Sequence, residues 1–188
     1  GLVPLTTRVA TDDDWTELTN YLGGLAAAGP KLKTTYEWGS FPGNNSSGFS
    51  ARPAGYRSFE GVYWGFTNLG FWWTKTEYTY HRSWKRDMSD SFVQVDRAYD
   101  SNKLGMSVRF LLDMTFYSQS NPPPSHITDY DGNVYEIIVI GNQHWAKTNL
   151  KVLHYRNGDL IPNVSDNSTW AHLSSGACCY PNGNSDNV

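Results

Sequence analysis

The chain has 188 residues, with 15 Lys and Arg against 18 Asp and Glu and a formal net charge of −3. This length suits one domain or at most two small ones, and the charge gives no reason to expect nucleic acid as a partner. No run of about 18 apolar residues is present, so we expect no insertion into a membrane. The 8 Trp, 12 Tyr and 17 Gly favour a loop-rich β or α+β fold over a helical bundle.

The first predicted element is a helix in ATDDDWTELTNYLGG, residues 10–24. Thr11 followed by Asp14 has the pattern of a capping box, and the acidic residues lie at the positive end of the helix dipole. We interpret this acidic run as a helix cap rather than as a cation site. Three apolar side chains on one face should pack against a core: Trp15, Leu18 and Leu22.

Residues 39–70 are rich in Gly, Asn, Ser and aromatic side chains, a pattern typical of short strands separated by tight turns. Further on, SFVQVDRAYD (91–100) and LGMSVRFLLD (104–113) show apolar residues with a period of two. A polar turn around Ser101 and Asn102 separates these two segments. They are therefore predicted to form a hairpin.

The pattern changes at residues 114–127, which show no periodicity and contain Pro122, Pro123 and Pro124 in succession. Three consecutive prolines favour extended polyproline II structure. We therefore expect a linker or an assembly arm in this segment.

A second structured block begins after the prolines. Asp131-Gly132 predicts a tight primed turn, and Val134 to Ile140 is rich in β-branched residues and predicts a strand. This pairing of a turn and a strand is typical of the opening hairpin of a domain.

A short helix is predicted near the end of the chain, in SDNSTWAHLSSG (165–176). Polar residues cap its start, Trp170 and Leu173 should face inward, and Gly176 should end it. The final YPNGNSDNV shows no pattern of ordered structure.

Two blocks of the sequence resemble the Fibrobacter-type major paralogous domain (FISUMP), a bacterial extracellular module related to C-type-lectin-like and sulfatase-modifying folds. Residues 128–182, from TDYDGNVYEIIVIG to GACCYPN, resemble its amino-terminal half. RVATDDDWTELTNYLGG, with the later SGFSARPAGYRSFEGVYWGF and LGMSVRF, resembles its carboxy-terminal half. The resemblance implies an α+β, C-type-lectin-like fold of short twisted antiparallel strands, with one or two helices and long loops rich in aromatic residues, Gly and Asn.

The two halves stand in the opposite order to that of the family. We therefore divide the chain into a carboxy-terminal-half-like block (1–113), a proline-rich linker or arm (114–127) and an amino-terminal-half-like block (128–188). A short aromatic strand that the family has between its halves has no counterpart in the sequence. Three explanations stay open: a circular permutation, a slice through a tandem array, or halves shared between neighbouring protomers.

The sequence contains no recognisable catalytic motif. No nucleophile elbow, phosphate loop or dinucleotide fingerprint is present. The related sulfatase-modifying enzymes use cysteines in the carboxy-terminal part of the fold, whereas Cys178 and Cys179 lie in the other half. The histidines are isolated in the sequence: His81, His126, His144, His154 and His172. We therefore expect no enzymatic activity, no metal and no cofactor.

A binding surface is expected in residues 78–103, because lectin-like folds carry the ligand surface on loops of the carboxy-terminal half. The resemblance implies an aromatic and basic patch made of Tyr78, Tyr80, His81, Trp84, Arg86 and Tyr99. Aromatic side chains combined with Arg suit the recognition of sugars and of proteins. The alternative is that the Trp and Tyr side chains of such short strands belong to the core.

Four asparagines stand in glycosylation sequons: Asn44, Asn45, Asn163 and Asn167. They would carry glycans only in a host that modifies asparagine. Chance is the alternative explanation in a chain so rich in Asn and Ser.

These observations lead to two functional hypotheses, of which we favour the first and keep the second as the alternative. In the first, the chain is a non-enzymatic subunit of a self-assembling fibre or surface array, in which a strand of one protomer completes the next. In the second, it is a monomeric lectin-like adhesin that binds a glycan or a cell-surface protein through residues 78–103. Both hypotheses imply an extracellular or cell-surface location.

Overall fold

A computed structural model describes residues 1–180, and most of the final YPNGNSDNV lies outside the described residues. Within residues 1–180 the helices are α1 (Asp12–Tyr21), α2 (Leu25–Leu32) and α3 (Asn167–Ala171), with a short 3-10 helix at Met114–Phe116. The strands are β1 (Thr7–Val9), β2 (Ala54–Arg57), β3 (Tyr63–Phe66), β4 (Leu69–Thr79), β5 (Arg82–Ser89), β6 (Asp96–Ser101), β7 (Ser107–Val108), β8 (Phe110–Leu112), β9 (His126–Thr128), β10 (Val134–Ile140) and β11 (Gln143–Ala146).

These strands form two sheets. The first has the order β1-β8-β11-β10-β9, and all its neighbouring strands are antiparallel. The second has the order β3-β2-β4-β5-β6, with β7 alongside β4. The protein is therefore a mixed α+β chain with many strands and few helices, which confirms the expectation from composition.

Helix α1 forms as the sequence predicts. The Thr11 hydroxyl accepts a hydrogen bond from the Asp14 N–H at 3.1 Å, and the Asp14 carboxylate accepts one from the Thr11 N–H at 2.7 Å. This reciprocal pair is the predicted capping box. The side chains of Trp15, Leu18 and Leu22 are all buried, so the predicted apolar face does pack against the core.

Helix α2 is not predicted by the sequence, and it brings the described helices to three instead of one or two. Gly23 and Gly24 end α1, but Gly24, with a φ of 90°, also begins α2 at once. Pro30 lies inside α2, where it disguises the helical pattern. Gly29 is needed because a Cβ there would lie 2.1 Å from the carbonyl oxygen of Val93.

Strand pairing between residues 39 and 113 differs from the prediction in two ways. Residues 39–53 contain no named strand, although β2, β3 and the start of β4 follow in the predicted region. The hairpin of 91–100 with 104–113 is wrong, because β6 pairs with β5, β7 with β4, and β8 with β1 and β11. Alternation identifies a strand but not its partner, and the long β4–β5 hairpin offers β6 a continuous edge.

Residues 114–127 lead from β8 to β9, two strands of the same sheet. After the 3-10 helix, Ser118 and Asn121 form an isolated bridge. The proline run then continues towards β9, with Pro122 exposed and Pro123 and Pro124 half-buried. Within this chain, the segment therefore connects the inner strand β8 to the edge strand β9 of one sheet.

The strand Val134–Ile140 is confirmed with the bounds that the sequence predicts. The turn before it is not a two-residue primed turn, because residues 129–133 connect β9 to β10. Gly132 has a φ of 83° and donates its N–H to the Asp129 carbonyl at 3.2 Å. The loop is wider than predicted because the Asp131 carboxylate accepts hydrogen bonds from a distant segment, including the Leu153 N–H at 2.7 Å.

Helix α3 is shorter than the predicted helix of residues 165–176. Asp166 caps its first turn by accepting a hydrogen bond from the Thr169 N–H at 2.6 Å. Trp170 is buried as expected, whereas Leu173 lies beyond the helix and is only half-buried. The helix ends before Gly176, and its contacts with the rest of the molecule are made by the buried Trp170 and by Asn167, which accepts a hydrogen bond from Arg57.

Four aromatic rings form the centre of the core, and each is fully buried. Trp15 of α1 lies 5.4 Å from Phe49, 6.0 Å from Trp72 of β4 and 5.3 Å from Trp145 of β11, measured between ring centroids. The edge-to-face contacts of Trp15 with Phe49 and Trp145 add to the free energy gained by burial. The cluster joins the helix, both sheets and both sequence blocks.

A buried arginine lies beside this cluster. Arg109 is 1% exposed, and its guanidinium carbon lies 4.2 Å from the Phe49 ring centroid. It donates hydrogen bonds to the carbonyl oxygens of Phe49, Ser50 and Ala146 and to the Asn149 side chain. A residue between β7 and β8 therefore connects residues 49–50 of the first block to residues 146–149 of the second.

We predict that Trp145→Ala lowers the free energy of unfolding by about 3–5 kcal/mol, because it leaves a cavity against Trp15 and Phe49. Trp64→Ala, at a side chain that is 57% exposed, should change it by less than about 1 kcal/mol. Urea unfolding followed by circular dichroism measures both. Equal changes in the two variants would contradict the described core.

Candidate functional site

The β4–β5 hairpin and β6 together present an aromatic surface. Tyr78 and Tyr99 stack with their ring centroids 3.8 Å apart and their planes at 10°. Trp84 packs edge-on against both rings, at 5.0 Å from Tyr78 and 5.8 Å from Tyr99. We use the name aromatic hairpin surface for Tyr78, Tyr80, His81, Trp84 and Tyr99.

This surface remains open to solvent although its rings contact one another. Tyr78 is 45% exposed and Tyr99 is 40% exposed, whereas Trp84 is half-buried beneath them. Tyr80 is 80% exposed at the tip of the hairpin and lies against His81 at a ring distance of 3.7 Å. His81 has a φ of 60°, which lets the chain reverse between β4 and β5.

Two arginines that the sequence reasoning missed complete the surface. The Arg97 guanidinium lies 3.6 Å from the Trp84 ring centroid, and that of Arg82 lies 5.8 Å from the Tyr99 centroid. Both distances are in the range of cation–π contacts. Arg97 and Tyr99 stand two residues apart on β6 and so on one face, a spacing from which the sequence could have placed Arg97 at this surface.

Arg86 does not belong to this surface. Its side chain is fully buried, and it donates to the Asp12 carboxylate at 2.5 Å and to the Asp12 carbonyl at 3.0 Å. A ligand at the surface cannot reach it. Trp84 and Arg86 stand two residues apart and so lie on the same face of β5. Helix α1 covers this face at Arg86 and leaves it open at Trp84.

Asp12 also binds Arg97, so one carboxylate holds both a buried and an exposed arginine. The Arg97 guanidinium donates to Asp12 at 2.7 Å. Burial by itself raises the pKa of Asp12, but the hydrogen bonds from Arg97 and Arg86 outweigh it and hold the pKa below its ordinary value. The start of α1 therefore fixes the position of the arginine that lies on Trp84.

The four sequon asparagines lie in different environments. Asn44 and Asn163 are exposed. Asn45 is half-buried and donates its side-chain amide to the Ser50 hydroxyl at 3.0 Å. Asn167, at the start of α3, accepts a hydrogen bond from Arg57 at 3.2 Å. The side chains of Asn45 and Asn167 thus already hold structural hydrogen bonds.

An apolar cavity of about 290 Å³ lies between the two sequence blocks. Arg57 forms part of its wall, with the guanidinium carbon 5.0 Å from the Tyr63 ring centroid and 4.4 Å from that of Trp170. Cys178 and Cys179 are free, half-buried and line the same cavity. Burial and the neighbouring Cys179 raise the pKa of the Cys178 thiol, which makes it a poor nucleophile at neutral pH.

No group of three or more His, Cys, Asp or Glu side chains within residues 1–180 is placed to hold a metal ion. In the same range, every helix is too short or too polar to cross a membrane.

Comparison with known proteins identifies the family. The model of the Fibrobacter succinogenes major domain matches residues 1–111, more than half of the chain. The chain therefore belongs to the Fibrobacter succinogenes major domain family. No curated protein and no solved structure matches it.

The matched range lies within the first sequence block (1–113) and includes the aromatic hairpin surface. The match ends at residue 111, before the proline run. The resemblance of residues 128–182 to the amino-terminal half of the family lies outside the matched range and stays a prediction.

We predict that Asp12→Asn lowers the free energy of unfolding by about 3 kcal/mol at pH 7, because it leaves the Arg86 charge buried without its partner. The matched control is Asp13→Asn, at an exposed position in the same turn, which should change it by less than about 0.5 kcal/mol. Chemical denaturation at several pH values measures both.

The contribution of the Asp12 ion pairs to the free energy of unfolding depends on pH. Because the folded protein depresses the pKa of Asp12, the carboxylate stabilises the fold above its unfolded pKa of about 4. That stability is lost as the pH falls through the folded value. The difference between the wild type and Asp12→Asn should therefore shrink in acid, and a difference that is constant from pH 7 to pH 3 would refute the ion pairs.

Proposed function

We propose that the protein is a non-enzymatic, extracellular recognition module that binds a glycan or a cell-surface protein through the aromatic hairpin surface. The observation that carries this proposal is the stacked pair of Tyr78 and Tyr99, which stays 45% and 40% exposed beside Trp84 and two arginines. Membership of a family of bacterial extracellular modules, as the sequence resemblance implies, supports the location.

The chemistry of this surface suits recognition. Aromatic rings held by their neighbours lose little conformational entropy on binding, and they offer apolar faces to sugar rings or side chains. Arg82 is exposed beside Tyr99 and can donate to ligand oxygens. Arg97 is held by Asp12, so it orders Trp84 before any ligand arrives.

A catalytic role has less support. The raised pKa of Cys178 disfavours the thiolate that a cysteine nucleophile requires. The aromatic hairpin surface includes one histidine, His81, and no carboxylate among its defining residues. We therefore propose binding without chemical conversion and without a cofactor.

We predict that Tyr80→Ala/Tyr99→Ala weakens ligand binding by about tenfold or more without lowering the melting temperature greatly, because both side chains are exposed. The ligand is first sought on a glycan array and a panel of bacterial and host surface proteins. Surface plasmon resonance then measures affinity.

The matched control is Tyr21→Ala/Tyr130→Ala, at two exposed tyrosines outside the aromatic hairpin surface. This variant should bind as the wild type does. Equal loss in both double variants, or no binding partner in either screen, would lead us to abandon the proposal.

A second candidate function is self-assembly into a fibre or surface array through the edge of the second sheet. β3 is an edge strand of four residues, and Trp64 and Phe66 on it are 57% and 38% exposed. Exposed strand edges with apolar side chains are templates for strand addition. Because β8 pairs with β11 of the same chain, the first sheet is complete without a strand from a neighbouring protomer. We therefore rank self-assembly below ligand binding.

We also infer that the chain has a C-type-lectin-like fold whose halves are circularly permuted. In support, the first block supplies β8 and the second supplies β11 to one sheet, where Leu111 lies opposite Trp145. The start of the chain also contacts the second block, since Gly1 accepts a hydrogen bond from the Arg156 N–H at 3.0 Å. Each contact joins the first block to the second within one chain, as expected if the two blocks form a single folded unit.

We predict that Trp64→Lys prevents concentration-dependent association, because a lysine on an edge strand opposes strand addition. Phe92→Lys, at a side chain that is equally exposed outside the strands, is the matched control. Analytical ultracentrifugation over a dilution series and electron microscopy report the assembly. A wild type that is monomeric at every concentration would exclude this second function.

A further inference from the structure

A polar pocket of about 470 Å³ lies apart from the aromatic hairpin surface and shares no residue with it. Four cationic side chains and one carboxylate line it: Arg52, Arg109, Lys147, Lys151 and Glu37. Two of these cations already have carboxylate partners, because Arg52 pairs with Glu37 and Lys147 pairs with Glu136 at 2.7 Å. The Lys147–Glu136 pair is partly exposed and therefore weak, so Lys147 can also contact the anion of a ligand.

Arg109 is the unusual member of this group. All its hydrogen bonds go to neutral oxygens, and no carboxylate among the described residues forms an ion pair with it. Buried charges in proteins are ordinarily paired with an opposite charge. Burial lowers the pKa of the guanidinium to about 9, which expresses the same lack of an anionic partner.

Asn149 supplies a second, independent observation. It lines the pocket and is 2% exposed, and its side-chain oxygen accepts from Trp72 at 2.8 Å and from Arg109 at 2.5 Å. Its side-chain Nδ2 is buried and has no hydrogen-bond partner among the described residues. A buried donor that lacks an acceptor, next to a cation, is a place where a ligand oxygen can be accommodated.

The backbone around the pocket is strained. Glu37, Asn45 and Ser50 have φ values of 77°, 49° and 56° and all line it. Only six residues other than glycine have positive φ within residues 1–180, so half of them lie here. Such conformations cost free energy and concentrate at sites that bind ligands.

We propose that this pocket is a second binding site, for a small organic anion that carries a carboxylate or a sulfate ester. The anion would lie between Lys147, Lys151 and the buried Arg109–Asn149 pair. The volume suits a molecule of monosaccharide size. Tyr36, which is 66% exposed at the edge of the pocket, offers a flat apolar face to the rest of the ligand.

The first test is titration of the whole chain with four probes at low ionic strength: glucuronate, glucose 6-sulfate, inorganic sulfate and neutral glucose. Calorimetry should show saturable binding of glucuronate or of glucose 6-sulfate and none of glucose. Whichever of the two binds identifies a carboxylate or a sulfate ester as the recognised group. Inorganic sulfate should bind more weakly than the organic anion, because it cannot contact Tyr36.

The second test changes charge at the edge of the pocket. Lys147→Gln/Lys151→Gln should weaken binding about fivefold, because two partly exposed charges contribute modestly. Lys75→Gln/Lys103→Gln, at exposed lysines on other elements, is the control and should bind as the wild type does. Tyr80→Ala/Tyr99→Ala should also leave the anion affinity unchanged, which separates this site from the aromatic hairpin surface.

The third test replaces the negative charge of the ligand with a carboxylate of the protein itself. Asn149→Asp places a carboxylate on the Arg109 guanidinium with almost no change of shape. It should raise the melting temperature by about 2–4 °C and reduce anion affinity by about tenfold or more. Asn142→Asp, exposed between β10 and β11, should do neither.

The proposal is overturned by absence of binding for both organic anions, or by equal affinity for glucose. Equal affinity of inorganic sulfate and the organic anions also overturns it, since the site would then hold an adventitious ion only. If Asn149→Asp fails to fold, the lysine variants decide. An affinity that they leave unchanged would show that the anion binds elsewhere.

Discussion

The buried Arg109 guanidinium is the interaction on which the rest of this structure depends. A charge inside the protein must be compensated, and here carbonyl oxygens from residues 49–50 and 146 and the Asn149 side chain do so. Those oxygens belong to both sequence blocks, so the blocks have to meet in one arrangement. The Phe49 ring below the guanidinium then continues into the Trp15–Trp72–Trp145 core.

A second arginine arrangement orders the candidate binding surface. Asp12 at the start of α1 binds Arg86 inside the protein and Arg97 at its surface. The helix is thereby joined to β5 and β6, and Arg97 is held over Trp84. The protein thus uses one arginine centre to join its halves and another to hold an aromatic surface in place, and we propose that each lies beside a binding site.

Local features could be predicted from the sequence because short-range contacts determine them. The capping box of α1 and the strand Val134–Ile140 each depend on neighbouring residues and formed as predicted. Most failures concern contacts with distant residues, including the Asp131–Leu153 hydrogen bond that widens the turn before β10. Helix α2 forms despite Pro30 because Gly29 packs on the Val93 carbonyl, and β6 pairs with β5 because a long edge is available. Arg86 looks like a surface cation in the sequence and is buried because Asp12 pairs with it.

The sequence by itself determined the mixed α+β class, the capped first helix, the strand Val134–Ile140 and the resemblance of residues 8–110 to the family that the comparison identified. Only the tertiary structure decided which strands are neighbours, which arginines are buried and which tyrosines are exposed. The reason is physical: periodicity records which side chains are apolar, whereas the pairing of a strand or a charge depends on partners far away in the chain. Arg109 and Asn149 show this most clearly, because forty residues separate two side chains that share one hydrogen bond.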